Sequence, residues 1–456
     1  MKYYLLLIMI CCSLLGACNK FLDKNPDPTQ RVPTTLEEIG LLSNAARNNT
    51  EASYHQGADE YFIPVFKTTF RAEAQYFYKH WNYEVVSPWA LTAEPVTPNY
   101  KSIQTANASL ELLGKIKQTE ANRIEYNKIK GKCHYLRASN YMFLAWTYCK
   151  AYQAATAAKD LGMPIDEDSY FGNKLKRSTL KELYDYILKE AHIAYRALEI
   201  RYPLRDEINR INVMGLLARV HLSMGAYDSA MVYSNELLSH ESGLMNYNDP
   251  GEVNIGSATP FKNFNKEMLE IILSGSRGFF DPVITGNVCY IDTNLIASYA
   301  PDDLRPKAHF KKAGEYYQHY SSIYGSGNPV ANNIMMVDEF YLVRAECYAR
   351  KGEKEKALKD LNDLLVTRFA AGKFVPYTTA TAAEALDLIL EERKKSLVFR
   401  GLRWIDIKRQ NLEGRNIAVV RKVDGVTYVL PPNDPRFSCP LHSVLVGEYD
   451  YEQNPY

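Results

Sequence analysis

The 456-residue chain lacks the signatures that most directly announce an enzyme. It has no His-Glu-x-x-His zinc pair, no Gly-x-Ser-x-Gly nucleophile elbow, no P-loop and no Gly-x-Gly-x-x-Gly dinucleotide turn. It has no Cys-x-x-Cys pair either, so neither a redox dithiol nor a zinc ribbon is expected. The nine histidines are dispersed, and His309 and His319, ten apart, do not form a ligand pair at helical spacing. Asp-Glu-Asp-Ser-Tyr at 166–170 and Pro-Asp-Asp-Leu-Arg at 301–305 lack the calcium-loop pattern and read as surface turns. No metal or cofactor is expected. Charge of one sign is missing as well: the net charge is +1, with no basic block and no acidic tail. A nucleic-acid partner, which calls for a clustered basic surface, is thereby excluded. Tryptophan is scarce at 4 residues, whereas tyrosine reaches 34. Tyrosine joins an apolar face to a polar tip, which suits a core, an interface or a polar-ligand site.

The chain also has no apolar run of the roughly 20 residues needed to cross a bilayer as a helix. The stretch from Leu5 to Leu15 follows Lys2, precedes Gly16-Ala17-Cys18, and reads as the core of a signal peptide. Leu15-Gly16-Ala17-Cys18 resembles a bacterial lipoprotein lipobox, which implies removal of residues 1–17 and acylation of Cys18. Residues 18–33 hold three prolines and little to bury, so they read as a tether from lipid to folded body. The later cysteines, Cys133, Cys149, Cys289, Cys347 and Cys439, are scattered and odd in number, and are expected as buried free thiols.

What is present is helical periodicity. Thr35 and Glu38 form a capping box ahead of Ile39, Leu41 and Leu42. Ala345, Tyr348, Gly352, Ala357 and Leu361 fall at tetratricopeptide-like offsets. Ala218, Gly225 and Ala230 repeat them, with His221 in place of the tyrosine and Ser234 in place of the large apolar residue. Ala138 and Tyr141 start a third copy, whose partner is the amphipathic stretch Leu180 to Leu198. The expected fold is mainly α: helix pairs near 131–198, 211–240 and 338–368 within one domain spanning 34–456, with a few short strands. Two segments without sustained helical period, near 54–99 and 242–333, interrupt the pairs. Such segments on a helical scaffold are where ligand and partner contacts tend to sit.

One charged stretch, Glu391 to Arg409, raises the question of acid–base chemistry, because carboxylates and guanidinium groups crowd around Gly401 and Trp404. Its pattern, through Glu392, Arg393, Leu397, Phe399, Gly401, Arg403, Asp406 and Arg409, resembles the signature of the RagB/SusD family of outer-membrane nutrient-binding lipoproteins. Five further blocks occur in the family's order: Cys18-x-x-Phe21-Leu22-Asp23; Tyr100, Ile103 and Asn107; the Leu136-Arg137-Ala138 helix with Gly162-Met163-Pro164; Asp303-x-Arg305; and a terminal Gln453-Asn454-Pro455-Tyr456. Departures are Arg400 in place of a usual glutamate, Ser396 in place of a common acid, and a stretched Trp89-to-Tyr100 spacing.

The resemblance implies a SusD-like, tetratricopeptide-like scaffold, anchored by lipid to the outer membrane and exposed at the cell surface. It implies capture of an extracellular nutrient, foremost a glycan, and delivery to a SusC-like TonB-dependent transporter, with no bond broken. A peptide or other non-glycan cargo stays open within that role. A secreted hydrolase with an unrecognised carboxylate pair is the alternative of another class. The aromatic-rich segments supply the candidate ligand contacts: Trp81, Tyr83, Trp89, Tyr316 and Tyr320. Glu392, Arg393, Arg403 and Asp406 are expected to form a partly buried structural network rather than a site.

Overall fold

The computed structural model describes residues 32–47, 57–64, 97–170, 175–204, 207–257, 260–261, 271–273, 289–319, 335–423 and 425–455. Thirteen helices and eight short strands lie among these residues, so the fold is mainly α as the periodicity predicts. The order begins α1 (Leu36–Arg47), β1 (Tyr61–Phe62), α2 (Thr97–Gly114), α3 (Arg123–Tyr148), α4 (Leu180–Ala197), α5 (Arg210–Ser223) and α6 (Tyr227–His240). A strand-rich stretch follows: β2 (Ile271–Leu273), β3 (Tyr290–Ile291), α7 (Thr293–Ala297), α8 (Arg305–His309), β4 (Phe310–Ala313), β5 (Tyr316–His319) and β6 (Met335–Met336). The chain closes with α9 (Val337–Arg350), α10 (Lys354–Leu365), α11 (Ala382–Ser396), α12 (Arg403–Leu412), β7 (Val419–Val423), β8 (Val426–Leu430) and α13 (Ser443–Gly447).

The helix starts follow local chemistry. Thr35 Oγ1 accepts from the Glu38 N–H at 3.2 Å while the Glu38 carboxylate accepts from the Thr35 N–H at 3.1 Å. The same reciprocal box opens α4 at Thr179 and Glu182, and α11 at Thr381 and Glu384. α3 is the central helix, with every residue from Gly131 to Tyr148 buried. It packs against both α2 and α4. Gly131 permits the approach: a Cβ there would meet Leu198 at 2.5 Å.

The α5–α6 and α9–α10 turns are copies of one another. Gly225 and Gly352 both adopt positive φ, 70° and 80°. The next residue's N–H then reaches back to His221 O or Tyr348 O, 2.9 Å in each case. This is the bonding of a Schellman cap. α9 also packs against α6 and α11, which joins these helices around one large core.

The blocks that carry the family resemblance are joints of this scaffold. Tyr100 Oη donates to Pro164 O at 2.9 Å, and Asn107 Nδ2 donates to Asp166 O and Asp168 O at 3.0 and 2.7 Å. Near the chain end, Asn454 Nδ2 donates to Tyr148 O and Cys439 O at 2.7 and 2.6 Å, covering a carbonyl at the end of α3. All five later cysteines are buried and free.

Candidate functional site

Two small antiparallel sheets bring three half-buried aromatic rings together. β1 pairs with β3, setting Phe62 opposite Tyr290, and β4 pairs with β5 as a hairpin whose first pair is Ala313 and Tyr316. Strand alternation sends the neighbouring Tyr61 and Ile291 inward, where they pack with Leu295, Phe310 and Phe399. Phe62, Tyr290 and Tyr316 are left on the other face, partly open to solvent. The Phe62 and Tyr316 rings meet edge to face at 5.1 Å and 84°. Tyr290 lies 5.8 Å from Phe62 and 5.2 Å from Tyr316. Such a platform offers ring faces to apolar C–H groups and phenol tips to hydroxyls.

Of the five ligand-contact residues expected from sequence, Tyr316 is in this patch. Trp81, Tyr83, Trp89 and Tyr320 lie outside the described residues, as do Cys18 and the signal and tether segments. Phe62 and Tyr290 were missed. The usable signal was alternation: Tyr61-Phe62-Ile63 and Cys289-Tyr290-Ile291 each set one aromatic between inward-facing apolar residues.

The charged stretch 391–409 holds this patch from beneath. Arg403 donates to both Asp59 oxygens, at 2.7 and 2.9 Å, and Lys394 Nζ adds a bond to Asp59 at 3.0 Å. Burial alone would raise the Asp59 carboxyl, but these cations outweigh it and hold the group far below the usual range. Next door, Glu60 Oε1 accepts from the Phe399 N–H at 3.0 Å. Phe399 sits at φ 57°, uncommon for a bulky residue, and Gly401 follows at φ 72°. The tight corner between α11 and α12 is therefore pinned by residues two and three positions before Phe62. Arg403 serves the fold as expected, and through Asp59 it is also tied to the strand that carries Phe62. Arg403→Ala is accordingly expected to lower stability by about 2 kcal/mol, below the range for fully buried pairs. It should also weaken ligand binding several-fold. Unchanged affinity in the folded variant would show that the corner does not position the patch.

The remaining charges form buried pairs. Arg305 donates to Asp303, to Glu392 Oε2 at 2.7 Å and to Ser396 Oγ at 2.7 Å. Asp406 accepts from Arg393 at 2.7 Å and Arg409 at 2.8 Å, and Arg409 also reaches Glu346. Arg400 clamps Asp338 at 2.6 and 2.7 Å. The two departures from the family pattern thus have partners: Ser396 takes an Arg305 donor and Arg400 pairs with Asp338. The Asp303–Arg305 stretch is not the surface turn expected, because both side chains are sealed against Glu392 and Ser396. Burial would raise Glu346, Asp338, Glu392 and Asp406, but the guanidinium groups and Lys395 outweigh it and lower all four, Glu346 to about 2. Carboxylates held ionised, sealed from water and doubly hydrogen-bonded are poor general acids.

His309, at the end of α8, stacks on His319 of β5, centroids 6.2 Å apart and planes within 10°. His319 Nδ1 is sealed without a partner. Burial lowers both imidazoles, His319 to about 4, and the charges of His319, Arg400, Arg368 and Arg305 lower His309 further. Between about pH 6.5, where an unfolded histidine titrates, and pH 4, the unfolded chain takes up protons the folded one refuses. Stability is therefore full above pH 6.5 and falls on acidification, and the depressed carboxylates extend the loss from about pH 5 towards 2. Thermal melting from pH 8 to 4 is expected to show a falling midpoint that begins near pH 6.5. His319→Phe should flatten part of that first limb, and an unchanged profile would refute the contribution of His319.

A family model described as SusD-like, "Starch-binding associating with outer membrane", matches residues 20–222, and one described as "SusD family" matches 303–429. The chain belongs to the SusD/RagB family. With membership comes the family's nutrient-binding role. A crystal structure of a SusD superfamily protein from Bacteroides thetaiotaomicron superposes with TM-score 0.74 at 20% identity, covering 92% of this chain and 100% of that one. A SusD-like carbohydrate binding protein from Bacteroides vulgatus gives 0.65 at 20% identity over 91% and 94% of the two chains. Surface glycan-binding protein A from Bacteroides fluxus gives 0.67 at 14% identity over 93% and 100%. At these identities the likeness is one of fold. No curated protein matches the chain. Among the described residues, no helix of this SusD-like protein is long and apolar enough to cross a membrane.

Proposed function

We propose that this SusD-like protein is a lipoprotein, acylated at Cys18 and displayed on the outer membrane, which captures an extracellular glycan and delivers it to a SusC-like TonB-dependent transporter. The observation that carries the ligand reading is the half-exposed cluster of Phe62, Tyr290 and Tyr316, three rings within 5.8 Å of one another on paired strands. Rings grouped this way suit the C–H faces of a sugar, and neighbouring polar groups would read its hydroxyls. Trp81, Tyr83, Trp89 and Tyr320 belong to the segments that continue from these strands in sequence, and they are proposed as further contacts. The likeness in fold to a SusD-like carbohydrate binding protein and to a surface glycan-binding protein supports the cargo class. The mechanism is binding and hand-over without turnover: the buried, guanidinium-paired carboxylates of the signature corner serve the fold.

The test uses the full chain isolated from outer membranes in detergent. Co-isolation of a TonB-dependent barrel, together with binding to glycans on an array, is expected. Absence of the barrel would overturn delivery. Binding to peptides with no glycan retained would replace the cargo class, and released sugar from any glycan would point to the hydrolase instead.

A further inference from the structure

A cleft of about 400 Å³ opens where α3 and α12 end, and it shares no lining residue with the aromatic patch. Its wall contains Lys408, Asn411, Phe437 and Ser438, all buried, and its rim carries the exposed Lys150, Gln153 and Thr156. Lys408 is only 4% exposed, yet among the described residues its ammonium meets backbone carbonyls alone, Trp146 O at 2.9 Å and Cys149 O at 2.5 Å. An ammonium has three donors, so one remains, and a buried cation ordinarily has an acid beside it. The nearby acids are already taken: Asp160 pairs with Lys150 at 2.7 Å, and Asp434 pairs with Arg436 at 2.7 Å. The negative pole of α3 is covered too. The Trp146 carbonyl takes Lys408, the Thr147 carbonyl takes the Cys439 N–H at 2.9 Å, and the Tyr148 carbonyl takes Asn454. Neutral groups complete the lining: the Ser438 hydroxyl, the Gln153 amide, and Asn433, whose Nδ2 is used on Asn411 O.

We propose that this cleft is a binding site for a small carboxylate-bearing polyol, of the size of a uronic acid. Lys408 supplies the counter-charge, and Ser438, Gln153 and Asn433 meet the hydroxyls. The volume falls within the range typical of small-molecule sites. The site stands independently of the glycan reading, since it uses other residues and another chemistry. Burial lowers the Lys408 ammonium to about 8, and the thiols beside it, Cys149 and Cys439, are raised by burial and stay neutral in that range. Affinity for a carboxylate therefore holds at pH 7 and is lost as pH rises through 8, about tenfold by pH 9.

Calorimetric titration of the full chain in a sugar-free detergent tests this, with sodium glucuronate, glucose and sodium acetate as probes. Glucuronate is expected to bind more tightly than glucose or acetate, by tenfold or more, and to weaken from pH 7 to 9. Lys408→Met should abolish the preference. Because that change uncaps α3, the exposed Gln153→Glu, which sets a negative charge at the mouth, serves as a second variant and should weaken glucuronate at least fivefold. Tyr316→Ala should leave it unchanged. Equal binding of glucose and glucuronate would overturn the carboxylate assignment. Acetate binding as tightly as glucuronate would reduce the cleft to a simple anion site. No binding of any probe, or binding indifferent to pH and to both variants, would overturn the site.

Discussion

Arg305→Ala is expected to destabilise the folded protein by on the order of 3–5 kcal/mol, read as a fall in the urea midpoint of unfolding. Arg305 is 2% exposed and binds two acids that are equally sealed, Asp303 and Glu392, while also donating to Ser396. Its removal leaves Asp303 without the guanidinium it pairs with and leaves Glu392 to Lys395. Neither carboxylate can reach water without opening the joint between the α8 turn and α11. Arg305→Lys should recover only part of the loss, since an ammonium cannot reproduce the fork that spans Asp303. Arg415→Ala is the matching control, because Arg415 pairs with Asp387 at the surface. Exposed pairs of that kind contribute about 0–1 kcal/mol. Similar losses for Arg305 and Arg415 would contradict the view that burial gives the signature pairs their weight.

Tyr316→Ala and Tyr290→Ala are each expected to weaken glycan binding about five- to tenfold, and the double variant by more than either alone. A well-placed aromatic contact adds about 0.5–1.5 kcal/mol beyond area burial, and about 1.4 kcal/mol is a factor of ten in affinity. Both rings are partly exposed and sit on the outer face of two-stranded pairs, so melting temperatures should move little. Tyr61→Ala is the contrast. Tyr61 lies one residue from Phe62 but points inward against Phe399 and under Arg421, so its loss should appear first in stability.

The scaffold was legible where local chemistry decides structure. Thr35 with Glu38, the glycines at 225 and 352, and the amphipathic stretch from Leu180 are each read within a few residues, and each is found in its expected role. The signature corner was legible as a network, but not in its partners. Arg403 finds Asp59 and Arg305 finds Glu392 across 344 and 87 residues of chain, and no spacing rule connects them. The Asp303 turn looked solvated because a short acidic Pro-Asp-Asp stretch reads as surface until its arginine is seen facing inward. The patch was half legible. Tyr316 stands in a tyrosine-dense run, whereas Phe62 and Tyr290 become neighbours only through the β1–β3 pairing, which joins segments more than two hundred residues apart. The cleft beside Lys408 had no signal at all, since a lysine in an amphipathic helix reads as a solvated charge.

Titration of the glycan that an array selects against the full chain, by calorimetry and in parallel on Tyr316→Ala and Tyr290→Ala, tests the central claim most directly. Saturable binding that both ring variants weaken at unchanged melting temperature is the predicted result. Undiminished affinity in the folded double variant would contradict it.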